Sequence, residues 1–527
     1  MQQKISFRLL PSEATDDPLI KKLIASHASV KPVDVTGWHI SKRSIDARGK
    51  TIYINLTINA FIKEPFYERA SDAINLQDVR NAATKIIIIG AGPAGLFAAL
   101  YLIEHGIKPI LLERGKDVRA RRRDLAALNK EGKVNPESNY CFGEGGAGTY
   151  SDGKLYTRSS KRGNVDRILN LFVHFGADEQ ILYEAHPHIG TNKLPQIITT
   201  MRKAIIDCGG EFLFEKKVCD LEIKNEKVIA VKTADGNNFS ADAFILATGH
   251  SARDIFNLLD GKNILIEPKP FALGVRIEHP QKLINQIQYH NSSDSGSLPP
   301  ASYSLVDQVL ERGVFSFCMC PGGIIAPAAT NENEIVVNGW SPSKRNNPYA
   351  NSGIVVQVEI PDANNYLKQQ KLKVNNEKLS MLYFQQHVEQ NAYKYGGGKL
   401  KAPAQRLVDF VENKISSTLP QCSYLPGISS ADMYAVLPDF ISKSLQKGFK
   451  KFGNKMRGYY SNEAIIVGVE SRTSSPVKIP RDAEGLHHPQ LKNLYPCGEG
   501  AGFAGGIVSA AMDGERIAAM ITDKIRK

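Results

Sequence analysis

Apolar positions change their spacing several times along the chain, and each spacing predicts a different element. Residues 4–10 and 51–62 alternate between apolar and polar positions, which predicts strands, whereas residues 18–24 have helical spacing. This opening of roughly 80 residues is a small α+β module of βαββ type, which we expect to be ferredoxin-like. A polar linker over residues 71–84 separates it from the rest of the chain.

The next segment predicts the start of a Rossmann-like domain. Residues 85–89 are rich in β-branched side chains, which indicates a strand buried on both faces. The chain then turns through residues 90–95 into an apolar helix over 96–105, and a second apolar strand ends at Glu113. This strand–helix–strand order is a complete βαβ unit of an α/β fold.

The rest of the chain divides into an insertion and a return. A helix over residues 195–208 and short strands up to Ala247 continue the first domain, after which Pro- and Gly-rich turns interrupt the pattern. A strand, a Gly-rich loop and a closing helix follow from residue 492. The predicted divisions are an N-terminal module over 1–83, a cofactor domain over 84–255 and 465–527, and an inserted α+β cap or substrate domain over 256–464.

Composition and charge narrow the class of protein. Hydrophobic residues make up 42% and charged residues 23% of 527, which excludes disordered and fibrous classes. The net charge of +12 suits a phosphorylated cofactor, an anionic substrate, nucleic acid or a membrane surface. The seven cysteines are scattered, the N-terminus is polar, and no apolar run approaches the ~20 residues of a membrane span. These features predict a cytoplasmic protein without a transmembrane segment.

The turn between the first strand and helix carries a dinucleotide fingerprint. Gly90, Gly92 and Gly95 form G-x-G-x-x-G in the strand–turn–helix context that this motif requires. The first glycine permits the tight turn, the second admits the pyrophosphate, and the third allows close helix–strand packing. Together with Pro93 and Ala94, they are predicted to hold a diphosphate at the helix N-terminus.

An acidic residue follows at the expected distance. Glu113 lies 23 positions after Gly90, where such folds place the acid that binds ribose hydroxyls. A carboxylate there repels a 2′-phosphate, so the bound nucleotide is expected to lack one. The neighbouring Arg114 is assigned to the same site.

Two later segments favour FAD over NAD. Thr248 and Gly249 close a strand after a β-meander, and residues 495–506 form a strand end followed by a Gly-rich loop and a helix. The last loop resembles the flavoprotein element in which an acid, here Glu499, holds the ribityl chain and a helix N-terminus faces the flavin ring. The resemblance implies that the helix dipole stabilises negative charge on reduction of the flavin. The residues assigned to this element are Gly498, Glu499, Gly505, Gly506 and Ile507.

Several long motifs occur together in one order. They lie at residues 135–139, 142–148, 151–155, 317–323, 470–476 and 498–502. With these motifs the chain resembles a bacterial family of uncharacterised FAD-dependent dehydrogenases, which are two-dinucleotide-fold, glutathione-reductase-like flavoproteins. The resemblance covers essentially the whole length, and it implies the fold and FAD as cofactor.

The Gly-rich segment 143–153 is a second candidate for cofactor binding. Four glycines within residues 143–148 leave backbone N–H groups able to approach a ligand closely, although a flexible loop has the same composition. Side chains at the end of the segment can add donors to a pyrophosphate or a flavin edge. The residues assigned are Gly145, Gly146, Gly148, Thr149, Ser151, Gly153 and Lys154.

The electron donor is left open by the sequence. It contains no second G-x-G-x-x-G for a dedicated nicotinamide domain, and no C-x-x-C or C-x-x-x-x-C pair beside the flavin motifs. Electrons are therefore expected from the substrate, from NAD(P)H bound transiently, or from another protein. No cluster has the spacing of a metal site.

Five side chains are candidates for the chemistry. Cys318 and Cys320 form a functional thiol pair or are two residues on one buried face of a strand. Arg276 and Arg472 bind an anionic substrate or are held in structural ion pairs. His250 is a general acid or base, or a packed side chain.

These observations predict an FAD-dependent oxidoreductase acting on an anionic small molecule between the FAD-binding domain and the cap. A reductase of hydrophobic chains is a variant of this prediction. The alternative is an accessory flavoprotein that binds RNA or a protein partner through the N-terminal module and basic stretches. These stretches are residues 119–123, with four arginines, and residues 441–457, with six basic residues at the polar face of an amphipathic helix.

Overall fold

The structure, a computed structural model, describes residues 1–69, 74–157, 163–290, 298–372, 374 and 376–526. The first residues of the predicted linker, 71–73, lie outside this part of the chain. The strands, numbered in chain order, are β1 (Gln2–Leu9), β2 (Val35–Asp46), β3 (Tyr53–Ile62), β4 (Lys85–Ile89), β5 (Lys108–Leu112), β6 (Glu211–Leu213), β7 (Val218–Lys224), β8 (Lys227–Thr233), β9 (Asn238–Phe239), β10 (Ala243–Leu246), β11 (Glu267–Pro268), β12 (Phe271–Pro280), β13 (Val306–Val309), β14 (Arg312–Cys320), β15 (Ile324–Pro327), β16 (Val337–Trp340), β17 (Tyr349–Val358), β18 (Ala402–Arg406), β19 (Ile428–Ser430), β20 (Ile465–Glu470), β21 (Val477–Lys478) and β22 (Leu494–Pro496). The α-helices are α1 (Asp17–His27), α2 (Pro93–Glu104), α3 (Val118–Glu131), α4 (Val165–His174), α5 (Leu194–Asp207), α6 (Arg253–Gly261), α7 (Gln281–Gln288), α8 (Ile360–Gln369), α9 (Ser380–Gly396), α10 (Leu407–Val411), α11 (Met433–Val436), α12 (Asp439–Lys455) and α13 (Ile507–Arg526).

The N-terminal module is a three-stranded antiparallel sheet with one helix. Strand β3 lies between β1 and β2, so Ile58 pairs with Ile5 on one side and with Ile40 on the other. This split βαβ order is that of the first half of a ferredoxin-like fold, and residues 1–69 contain no second α-helix and no fourth strand. The sequence pattern locates β2 poorly because most of its side chains on both faces are partly exposed.

A five-stranded parallel sheet, ordered β22-β10-β4-β5-β6, forms the Rossmann-like part. Strand β4 is apolar throughout because both of its faces are covered. Ile86 and Ile88 pack in a core with the helices α2, α4, α5 and α13, whereas Ile87 and Ile89 pack in a core with β7, β8 and α6. The loops after β4, β5, β10 and β22 therefore meet at the carboxyl edge of the sheet, where such folds bind their ligands.

A second large sheet contains seven strands of mixed direction in the order β13-β14-β17-β12-β20-β18-β19. The long strands β12 and β17 pair antiparallel along ten residues at its centre. Strand β20 pairs with β12 and β18, although the sequence boundary at residue 464 assigns it to the returning cofactor segment. Its run of apolar residues suits a central strand of either sheet, so the pattern alone does not decide between them.

The two basic stretches are partly used within the fold. Helix α12 buries the apolar face that the sequence predicts, with Leu445 and Phe449 fully buried, so that face is not free for a membrane. On its polar face, two lysines pair with Asp307. In the other stretch, Arg121 is completely buried. None of the helices in the described ranges has the length and apolar character that a bilayer crossing requires.

Candidate functional site

The turn at residues 90–95 is built from glycines that touch their neighbours closely. Gly90 has a φ of 106°, and a Cβ there would lie 2.4 Å from the carbonyl oxygen of Ala247 at the end of β10. A Cβ at Gly95 would lie 2.1 Å from the carbonyl oxygen of Gly90. Both glycines are thus required for β4, β10 and α2 to meet.

The space beside the Cα atom of Gly92 is open, whereas the space beside Gly90 and Gly95 is filled by neighbouring backbone. Gly92 has a φ of −75°, and the nearest heavy atom to a Cβ there would be the Cα of Gly146, 4.0 Å away. Gly92 precedes Pro93, the first residue of α2, whose first turn has backbone N–H groups without intrahelical partners. The open side and these N–H groups fit the diphosphate of a dinucleotide.

Glu113 lies at the end of β5 and holds three backbone N–H groups. Its carboxylate accepts hydrogen bonds from Ala91, Gly115 and Gly143, each at 2.9 Å. The acid therefore ties the turn after β4 to the segment 143–153, which we call the Gly-rich loop. Arg114, which the sequence assigns to the cofactor, instead forms ion pairs with two carboxylates, has its guanidinium over an aromatic ring, and is only 14% exposed.

The Gly-rich loop is fixed from inside by a residue that the sequence places in a basic stretch. The guanidinium of Arg121 donates to the carbonyl oxygens of Asn139, Tyr140, Glu144 and Gly146 at 2.8–3.0 Å. This clamp explains why a fully buried arginine occurs within a run of exposed ones. The sequence contains no sign of it, because its partners are main-chain atoms.

Side chains at the end of this loop are already engaged. Thr149 donates to the carbonyl oxygen of Glu144 and Ser151 to that of Gly148, so these hydroxyls shape the loop. Gly153 has a φ of 72° and lies against Leu194. Lys154 turns away from the glycines and donates to the carbonyl oxygen of Met319.

The loop at residues 498–507 closes the site from the other side. A Cβ at Gly148 would lie 3.5 Å from both Pro93 and Ile507, so the Gly-rich loop, α2 and the start of α13 meet there. A Cβ at Gly505 would lie 3.5 Å from the Oε1 atom of Glu499. Gly506 has a φ of 143° immediately before α13.

A buried ion pair positions this closing loop, and the sequence reasoning missed it. Asp513, on the second turn of α13, accepts a hydrogen bond from the backbone N–H of Gly498 at 2.8 Å. Arg481 donates to both oxygens of Asp513, and each side chain is less than a tenth exposed. Helix α13 is thereby tied to the turn that precedes Glu499.

Side chains near Thr248 and Gly249 add titratable groups. A Cβ at Gly500 would lie 2.6 Å from the carbonyl oxygen of Gly249, so the loops after β10 and β22 touch. His250 Nδ1 lies 3.3 Å from Glu499 Oε2. The structure thus brings His250 to the closing loop, beside the acid assigned to the ribityl chain.

Two lysines that the sequence reasoning missed lie beside the same loop, Lys478 in β21 and Lys269 between β11 and β12. A Cβ at Gly502 would lie 3.1 Å from the Cδ atom of Lys269 and 3.3 Å from the Cα atom of Lys478. Lys269 donates to Ser474 at 3.3 Å, and burial lowers its pKa, against the opposing effect of Glu499. Strand β12 begins two residues after Lys269, so the seven-stranded sheet borders the site.

The two arginine candidates are held by buried carboxylates. Arg276 is completely buried and pairs with Glu470 at 2.6 Å. Arg472, 8% exposed, pairs with Glu389 at 3.0 Å and with Glu334 at 3.4 Å. Each guanidinium is already neutralised inside the fold, so the structural ion pair is the arrangement observed.

Cys318 and Cys320 do not occupy one face of a regular strand. Phe317 pairs with Gly353 and Cys320 with Asn351, so β14 contains one extra residue between these pairs. This β-bulge leaves Cys318 in the left-handed region, with a φ of 47°. Cys318 is partly exposed and Cys320 is buried, and both thiols are free.

A cavity of about 340 Å³ lies at the opposite end of the seven-stranded sheet. The ends of β12 and β18, the start of β17 and residues 420–421 and 462–463 line it. Because β12 runs from the closing loop to this cavity over ten residues, the two are about 30 Å apart. Glu278 at its wall is 1% exposed and accepts hydrogen bonds from the N–H and hydroxyl of Ser423.

This buried acid makes stability depend on pH. Burial raises the pKa of Glu278 to about 7 from the ordinary 4.5, so the folded chain binds this proton more tightly than the unfolded chain does. The stability that it contributes is present below pH 4.5 and is lost as pH rises through 7. We expect Glu278→Gln to flatten the fall of the unfolding free energy over this window, as measured by urea denaturation. The variant Glu463→Gln, at an exposed carboxyl of the same cavity, is the control, and equal slopes in all three proteins would contradict the prediction.

Comparisons with known proteins agree with this architecture. Residues 84–266 match a family described as "Pyridine nucleotide-disulphide oxidoreductase" and residues 270–473 a family described as "FAD-dependent protein, C-terminal domain-like". Residues 1–61 match a domain of unknown function. A protein of Clostridium beijerinckii, named only as uncharacterized, is 39% identical over 529 residues that cover 97% of each chain.

The chain belongs to a family of uncharacterised FAD-dependent proteins. This confirms the resemblance expected from the sequence motifs, the Rossmann-like FAD-binding fold, FAD as the cofactor, and the class of flavin-dependent oxidoreductases.

Solved structures show a more distant likeness. Glycine oxidase from Bacillus cereus is 13% identical, with 84% of this chain and 95% of that chain covered and a TM-score of 0.32. A geranylgeranyl bacteriochlorophyll reductase-like protein from Thermoplasma acidophilum is 13% identical, with 84% and 79% covered and a TM-score of 0.33.

Proposed function

We propose that the chain binds FAD between α2, the Gly-rich loop and the closing loop, and oxidises or reduces a small anionic molecule where these loops border the seven-stranded sheet. One observation carries the proposal. The glycine that faces the Gly-rich loop, Gly92, has an open side, whereas Gly90 and Gly95 beside it are tightly packed. A turn needs the packed glycines for its own structure, and the open one is explained by a ligand.

The residues take roles that follow from their positions. The first turn of α2 would hold the diphosphate, and Glu113, which keeps the turn and the Gly-rich loop together, would meet a ribose. Glu499 would bind the ribityl chain, with His250 at 3.3 Å. The start of α13 at Ile507 directs its positive dipole end to the same place, where it would stabilise an anionic flavin edge.

FAD supplies the two-electron chemistry when it is bound. The chain's own contribution at the substrate side is positive charge. Lys269 and Lys478 approach the closing loop, and Lys269 is the better candidate because Lys478 pairs with Glu267 at 3.0 Å. Because burial lowers the pKa of Lys269, its ammonium releases a proton more readily than an exposed lysine does. The anion-binding role expected of Arg276 and Arg472 passes to this lysine.

The experiment is anaerobic reduction of the reconstituted protein. The yellow FAD-loaded chain is mixed with NADH, with NADPH and then with a panel of carboxylate and phosphate metabolites, and the visible flavin band is followed. We expect one reductant to bleach the band, with NAD(P)H acting as a transient donor. A chain that takes up no FAD, or a flavin that no compound in the panel bleaches, would overturn the proposal.

The alternative of an accessory RNA-binding flavoprotein has less support. Arg121 is buried, and Lys451 and Lys455 of α12 both pair with Asp307, which removes charge from both stretches. Retention of RNA that weakens steeply with salt would favour this alternative.

A further inference from the structure

The bulge in β14 gathers a set of reactive and charged groups that the proposed function does not use. The ammonium of Lys154 lies 3.8 Å from Cys318 Sγ and 3.9 Å from Cys320 Sγ. The Cys320 thiol lies 3.3 Å from the carbonyl oxygen of Cys318. On the other side, the guanidinium of Arg276 lies 3.3 Å from the same carbonyl.

We propose that Cys318 and Cys320 are a redox-active dithiol that exchanges electrons with low-molecular-weight disulfides. The proposal goes beyond the function proposed above and does not depend on it, since the exchange needs two thiols and a partner disulfide only.

The bulge supplies the geometry. In a regular strand, residues i and i+2 point to one face but their side chains stay a full two-residue step apart. In β14 the residues between Phe317 and Cys320 share a single partner position, and Cys318 adopts the left-handed backbone conformation. Bulges are common beside active sites because they redirect a side chain.

The surrounding charges favour one thiol as the nucleophile. A hydrogen bond from Cys320 lowers the pKa of the Cys318 thiol well below its usual range, and Lys154 and Arg276 lower it further. Burial and the carboxylate of Asp152, 3.8 Å from Lys154, oppose this effect. The pKa of Cys320 is raised, first by the same hydrogen bond and then by burial. Cys318 is also the more exposed of the two, so it is the one that a disulfide can reach.

The reaction balances without a further reagent. The Cys318 thiolate attacks one sulfur of the disulfide, forms a mixed disulfide and releases the other half as a thiolate, which takes up a proton. Cys320 then loses its proton, attacks the Cys318 sulfur and releases the second half as a thiol. Two electrons pass from the protein to the small disulfide, one proton comes from Cys320 and the other from the solvent, and the reverse reaction reduces the pair.

Lys154 also links the pair to the Gly-rich loop. It lies three residues after Ser151, whose N–H donates to the carbonyl oxygen of Gly148. Gly148 in turn lies beside Ile507. The thiols are therefore joined to the loop assigned to the cofactor by one short segment.

The test is a redox titration of the full chain. The protein, with and without FAD, is equilibrated in mixtures of reduced and oxidised dithiothreitol, quenched with acid, alkylated and examined by peptide mass spectrometry. We expect the peptide with both cysteines to lose two hydrogens in a single transition, with or without FAD. Thiols that remain fully alkylated across the whole range would overturn the proposal, whereas failure to bind FAD would overturn only the proposed function.

Variants separate the roles of the two thiols and the lysine. With oxidised glutathione as the small disulfide, Cys320→Ser is expected to stop at a mixed disulfide on Cys318. Cys219→Ser, at an exposed thiol, is expected to behave like the wild type. Lys154→Gln is expected to slow alkylation of Cys318 by iodoacetamide at pH 7 by about tenfold, because less of the thiol is ionised. The matched control is Lys492→Gln, at an exposed lysine. An unchanged rate in Lys154→Gln would remove the lysine from the proposal.

Discussion

Replacing Gly92 with alanine is expected to weaken FAD binding by at least about tenfold, because a methyl group would occupy the space through which the backbone approaches the pyrophosphate. The protein itself has room for that methyl group. The backbone at Gly92, with a φ of −75°, suits alanine, and the nearest heavy atom would be 4.0 Å away. The substitution therefore separates cofactor binding from folding.

The measurement is a titration of the refolded protein with FAD, followed by flavin fluorescence, together with thermal unfolding of the apoprotein. Gly261→Ala is the matched control, since that glycine ends α6 with no heavy atom within 4 Å of a Cβ. Both variants are expected to unfold at the wild-type temperature. Full FAD affinity in Gly92→Ala would remove the diphosphate from this turn.

Gly90→Ala provides the opposite case. Its Cβ would lie 2.4 Å from the carbonyl oxygen of Ala247, at a φ of 106° that alanine rarely adopts. We expect the apoprotein of this variant to be destabilised, so its loss of FAD would follow from the fold and not from the site.

The Rossmann-like part could be predicted from the sequence because each pattern that indicates it lies within one contiguous segment. The strand at Lys85–Ile89, the turn after it and the helix from Pro93 are contiguous, and their order determines the fold of the turn. Strand β2 shows where this reasoning stops. Its side chains are mostly half-exposed on both faces, so apolar and polar positions do not alternate clearly.

The candidate site shows a different limit. A guanidinium in a sequence does not reveal its partner, and Arg276 pairs with Glu470, 194 residues away. The bulge at Cys318 likewise depends on the register between β14 and β17, which no local pattern contains. Motifs thus predict the cofactor turn, whereas the groups around the substrate depend on contacts between distant segments.

A buried cluster between α6 and α9 shows how much such contacts matter. Glu389 is fully buried, with Arg253 at 2.7 Å and Arg472 at 3.0 Å, and Glu334 completes two positive and two negative groups. Ser471 donates a further hydrogen bond to Glu389 at 2.7 Å. The cluster joins α6, which follows the loop after β10, to the segment that follows β20.

Removing Glu389 is expected to be the most damaging single change to stability. Glu389→Ala leaves two buried guanidiniums with one carboxylate, and breaking a buried pair in this way costs roughly 3 to 5 kcal/mol of unfolding free energy. Urea denaturation at neutral pH measures it. The control is Glu131→Ala, whose carboxylate pairs with Lys133 on the surface and is more than half exposed, and it is expected to change little.

The same carboxylate gives the effect a pH signature. Burial alone would raise the pKa of Glu389, but Arg253 and Arg472 hold it at about 2, below the ordinary 4.5. The stability that depends on this charge is therefore complete above pH 4.5 and is lost as pH falls toward 2. The gap between wild type and Glu389→Gln should narrow over that window. A gap that stays constant from pH 7 to pH 3 would mean that packing, and not the charge of Glu389, holds α9 to α6 and to the segment after β20.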